Sequence, residues 1–117
     1  MKRLFFALAL LIAPAAQAHE TLGKHGGIVA DAGPYHVELV AKGQAVEVYV
    51  TDGATKDVSA EGLKGTAILV IDGKAQRITL APDIGNRLIG AASGKLPAQP
   101  KGAVQIQTKS GTVTGKF

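Results

Sequence analysis

Three histidines, His19, His25 and His36, stand within eighteen residues of one another, and the chain has no other. Imidazole nitrogens suit copper and zinc, so this clustering makes metal ligation the first chemistry to consider. If the chain is cleaved after Ala18, His19 becomes the amino terminus. Its free amine and ring Nδ1 can then close a chelate on one ion, with His25 or His36 supplying a third nitrogen. Both groups deprotonate readily near neutral pH. Glu38 lies two residues from His36 and so shares its face on an extended strand, where it could ligate the ion or orient the ring. His36 can equally be read as a solvent-facing strand residue. The candidate metal set is therefore His19, His25, His36 and Glu38.

The remaining composition excludes much other chemistry. The chain has no cysteine, which removes disulfides, thiolate zinc sites, iron–sulfur clusters and cysteine nucleophiles. Ser59, Ser93 and Ser110 lie in polar, loop-like stretches without a nucleophile elbow, and no pair of carboxylates is marked as an acid–base couple. Gly23-Lys24-His25-Gly26-Gly27 lacks the strand–loop–helix context of a phosphate cradle, so its glycines read as backbone freedom before a first strand. The expectation is a protein that is not an enzyme and uses no organic cofactor.

The first eighteen residues stand apart from the fold. Met1-Lys2-Arg3 is basic, Leu4 to Ala13 is apolar, Pro14 breaks the run, and Ala16-Gln17-Ala18 offers a small-x-small cleavage site. The apolar run is too short for a bilayer, which takes about 20 residues. Residues 1–18 are expected to be a cleaved secretory signal. Residues 19–117 are expected to form one exported domain, without membrane insertion. Removing Lys2 and Arg3 lowers Lys+Arg from 13 to 11 against an Asp+Glu count of 9, leaving a net charge of only +2. The lysines are scattered and not interleaved with aromatics, so no nucleic-acid partner is expected.

The elements that must position the histidines are strands. Tyr35 to Val40 alternates, with Tyr35, Val37 and Leu39 on one face and His36 and Glu38 on the other. Ala45 to Thr51 sets Val46, Val48 and Val50 inward and Glu47, Tyr49 and Thr51 outward, after a hairpin loop at Ala41-Lys42-Gly43-Gln44. Asp72-Gly73, favoured in type I′ turns, joins Thr66–Ile71 to Ala75–Leu80. Lys109-Ser110-Gly111 joins Val104–Thr108 to Thr112–Phe117, and Gly27–Ala30 and Arg87–Ala91 are weaker strands. No window keeps a helical apolar period. These strands predict an all-β fold with almost no helix: a two-sheet antiparallel sandwich of immunoglobulin-like architecture with seven or eight short strands. Asp52 to Gly65 and the proline-bearing Leu96 to Gly102 read as loops.

Lys24-His25-Gly26-Gly27, then Tyr35-His36-Val37-Glu38-Leu39-Val40, Glu47-Val48-Tyr49-Val50-Thr51-Asp52 and Gly85-Asn86-Arg87-Leu88, resemble small periplasmic proteins associated with heavy-metal and copper resistance. They are also similar to the N-terminal β-module of some metal-efflux membrane-fusion adaptor proteins. The resemblance implies a periplasmic β-domain that binds or passes on a metal ion. It implies an efflux adaptor as protein partner, and His25 and His36 are the positions that carry over. His19 rests on the cleavage argument alone. A looser similarity is to periplasmic copper carriers whose mature chain begins with histidine. This chain lacks their methionine-rich stretch, having only Met1, which leaves one divalent ion, copper(II) or zinc, rather than Cu(I) on thioethers. A metal-free module that docks on an efflux adaptor or other envelope protein through an exposed strand edge is the alternative.

Overall fold

The computed structural model describes residues 21–117, and His19 and the proposed signal segment lie outside them. Nine strands follow in chain order: β1 (Thr21–Leu22), β2 (Ile28–Ala32), β3 (Tyr35–Lys42), β4 (Ala45–Asp52), β5 (Lys64–Ile71), β6 (Lys74–Pro82), β7 (Arg87–Ala91), β8 (Gly102–Thr108) and β9 (Gly111–Lys116). Every pairing is antiparallel, and the described residues contain no helix. The all-β expectation holds.

The architecture differs from the expected seven- or eight-stranded, two-sheet sandwich. The nine strands form one continuous sheet in the order β1-β2-β3-β4-β7-β6-β5-β8-β9, curled so that β9 comes against β2. The continuity comes from β6. Its residues 74–80 pair with β5, and its last two, Ala81 and Pro82, pair with Ile89 and Leu88 of β7. The alternating pattern of the sequence ends that strand at Leu80; Pro82, which cannot donate to a ladder, is tolerated as the strand's last residue. The ninth strand is the two-residue β1, too short for any periodicity to announce.

Period-two alternation builds the core. Val37 and Leu39 of β3, Val46, Val48 and Val50 of β4, Ala67, Leu69 and Ile71 of β5, Ile78 and Leu80 of β6, Leu88 of β7, and Val104 and Ile106 of β8 all turn to the concave side and are buried. Asp72 and Gly73 both have positive φ (51° and 76°), as a type I′ turn requires. The β3–β4 hairpin is tighter than its sequence suggested: Lys42 pairs with Ala45, which leaves only Gly43-Gln44 as the loop. The opposite, convex side of β2, β3, β4 and β7 carries the polar residues, and the candidate site lies there.

Candidate functional site

Strand register fixes which outward side chains are neighbours. Across β2, β3, β4 and β7, Val29 pairs with Glu38, Glu38 with Tyr49, and Tyr49 with Arg87; one step along, Asp31 pairs with His36 and His36 with Thr51. The β1–β2 hairpin folds over this row. Gly26 N–H donates to the Gly23 carbonyl (3.0 Å) and Gly23 N–H to the Gly27 carbonyl (2.8 Å), which closes a tight loop. Gly26 takes the left-handed φ of +79° that such a loop needs.

Glu38 holds this loop down. One carboxylate oxygen accepts the backbone N–H of His25 (2.8 Å) and of Gly27 (2.9 Å), and the other lies 2.8 Å from His25 Nδ1. Glu38 is 6% exposed although it is on the outward face. A buried carboxylate needs such donors to offset its lost hydration. Gly23 makes the fit sterically possible, since a Cβ there would lie 2.2 Å from the Glu38 Cδ. That glycine is a close approach, not simple chain freedom. Sequence spacing associated Glu38 with His36; the fold gives it to His25 instead.

The His25 ring lies flat on Tyr49, with ring centroids 3.5 Å apart and planes 7° from parallel. Tyr49 O–H donates to Glu47 (2.8 Å), which also takes Arg87 Nη1 (3.0 Å) and Lys42 Nζ (3.0 Å). Arg87 is braced in turn by Asp83. The Tyr49 hydroxyl bond, joined by those of Lys42 and Arg87, holds the Glu47 carboxyl below its ordinary value of 4.5 against the opposing effect of burial. Burial, reinforced by the bond to Glu47, pushes the Tyr49 phenol up. A depressed carboxyl stabilises the fold above its unfolded pKa, and that stability is lost as pH falls through the folded value. Glu47→Gln is therefore expected to cost about 1.5 kcal/mol near pH 7. Urea titrations of the two proteins should converge as pH falls below 4.5; a gap that persisted undiminished at pH 3 would contradict this account.

His25, His36 and Glu38 line one cleft of about 560 Å³, with Thr21, Leu22, Val29, Asp31, Tyr49, Thr51 and Asn86 also on its walls. His36 Nδ1 lies 2.9 Å from Asp31, which is itself 85% exposed. Both imidazoles thus place Nδ1 against a carboxylate, and neither Nε2 has a hydrogen-bond partner among the described residues. Among those residues no group of three or more His, Cys, Asp or Glu side chains converges as a ready-made metal site. The fourth candidate, His19, lies outside them.

The sequence does not mark Tyr49, Arg87 or Asp31 as parts of a site. An outward aromatic between Glu47 and Thr51, in a chain with only 4% aromatic residues, was the available signal for Tyr49. Arg87 opens a weak strand in the sequence and nothing there marks it for Glu47, since its bond to that carboxylate spans 40 residues. No family model, no curated protein and no solved structure matches the chain.

Proposed function

We propose that the protein is a periplasmic metal-binding carrier or accessory protein, exported by cleavage of residues 1–18 and serving heavy-metal resistance or efflux. It captures one divalent ion, copper(II) or zinc, in the cleft that His25 and His36 share. One observation carries this reading: each ring has a carboxylate on Nδ1 and an Nε2 without a hydrogen-bond partner among the described residues. A carboxylate so placed accepts a hydrogen bond from Nδ1–H and leaves the Nε2 lone pair for a metal, the arrangement that orients histidine ligands in metalloproteins. Two imidazoles leave further positions of the ion to water or to other donors. His19 stands two residues before Thr21 in sequence, a reach of at most about 7 Å, and would offer the amine–imidazole chelate. An incompletely enclosed ion exchanges readily, which suits delivery to an efflux adaptor better than storage.

Calorimetry with Cu(II) and Zn(II) tests the reading. His25→Ala and His36→Ala should each weaken binding by about tenfold, and the double variant should lose much less than the sum because the two rings share one ion. Fully additive losses would mean two independent weak sites. No binding by the unaltered protein would leave the metal-free docking module as the better reading.

A further inference from the structure

We propose that Tyr49 is the positioning residue of the metal-capturing cleft, holding the His25 imidazole in the plane from which Nε2 meets the ion; this rests on the function proposed above. Three contacts define His25 itself. Glu38 fixes one edge through Nδ1 and ties the loop backbone below it. Neither bond prevents the ring from tilting about the Nδ1 contact. The Tyr49 face does, because the two planes are parallel to within 7° at 3.5 Å.

Tyr49 can act as a fixed platform because it is itself clamped. Its hydroxyl is tied to Glu47, and Glu47 is held by Lys42 from its own hairpin and by Arg87 from β7. Arg87 is tied to Asp83, four residues earlier in the β6–β7 connection. A chain of side chains therefore runs from Asp83 through Arg87, Glu47 and Tyr49 to His25. It passes through Arg87 of the Gly85-Asn86-Arg87-Leu88 segment, which the ligand set leaves unused. His36, by contrast, has one exposed carboxylate contact and no stacked ring among the described residues. The two imidazoles are thus unequal: His25 is preset, and His36 must be recruited.

Proton NMR of the metal-free protein reads the platform directly. A ring held over a phenol face has its carbon-bound protons shifted upfield, so the His25 signals should lie clearly upfield of those of His36. Tyr49→Leu should abolish that shift and weaken Zn(II) binding about tenfold, whereas Tyr49→Phe, which keeps the stacked face but loses the hydroxyl tie to Glu47, should keep a smaller upfield shift and fall between the two in affinity. His25 signals at the position of His36 in the unaltered protein would overturn the proposal without any variant. So would a Tyr49→Leu protein that folds and binds Zn(II) with full affinity. If the unaltered protein binds no Zn(II) while its His25 shift is present, the metal reading fails and the stacked geometry stands.

Discussion

Glu38→Ala is expected to destabilise the protein by about 4 kcal/mol, the net value of losing hydrogen bonds to a charged acceptor at about 1.5–3 kcal/mol each after water recovers part of the loss. The carboxylate accepts two backbone N–H groups, from His25 and Gly27, and contacts His25 Nδ1. Alanine supplies no substitute acceptor, and the Gly27 N–H is buried. For a domain of this size, about 4–8 °C of melting temperature accompanies each kcal/mol. The midpoint should therefore fall by well over 10 °C. Amide exchange at His25 and Gly27 should accelerate more than exchange in β5 or β8, because the loop opens before the core does. Glu38→Gln, which keeps one accepting oxygen, should fall between alanine and the native residue. A Glu38→Ala protein within 1 kcal/mol of native would show that water replaces the carboxylate cheaply and that the loop is not held from below.

Leu88→Ala tests the other half of the design. Leu88 is fully buried on β7, opposite Val48 of β4 and Pro82 of β6. It also approaches Gly65 of β5, where an added Cβ would come 3.2 Å from Leu88 Cδ2. The side chain therefore fills the concave space where β4–β7 and β5–β6 meet, and its removal leaves a void bordered by four strands. Truncating a fully buried leucine costs about 2–5 kcal/mol, and a site walled by strand backbones collapses poorly, which favours about 4 kcal/mol here. The convex face carries no part of that cavity. Leu88→Ala should lower the urea midpoint while the metal affinity of the folded protein stays within about twofold of native. A loss of affinity matching that of the histidine variants would mean that core and cleft are mechanically coupled.

What the sequence discloses here is local. Val46-Glu47-Val48-Tyr49-Val50 reports its strand because inward and outward residues differ in kind, and Asp72-Gly73 reports its turn because few dipeptides accept two positive φ angles. The pairing of β6 with β7 is not legible, since Ala81 and Pro82 extend β6 past the alternation that ends at Leu80. The histidines were visible as a group by their type. Their partners were not: Glu38 reaches His25 across 13 residues, and this depends on a hairpin whose closure requires the space left at Gly23. Alternation could show that Glu38 and Glu47 face outward. It could not show that a loop and a pair of cations would cover them.

The β1–β2 hairpin constrains how the cleft can evolve. Gly23 faces the Glu38 carboxylate, a Cβ at Gly27 would lie 2.3 Å from the Leu39 carbonyl oxygen, and Gly26 occupies a backbone conformation that side chains resist. His25 is committed through both its backbone and its ring. Of five consecutive positions, only the exposed Lys24 is free to vary. The hairpin thus leaves a single dial, the charge at position 24, which sets the local field at the wall of the cleft while the framework beneath stays fixed.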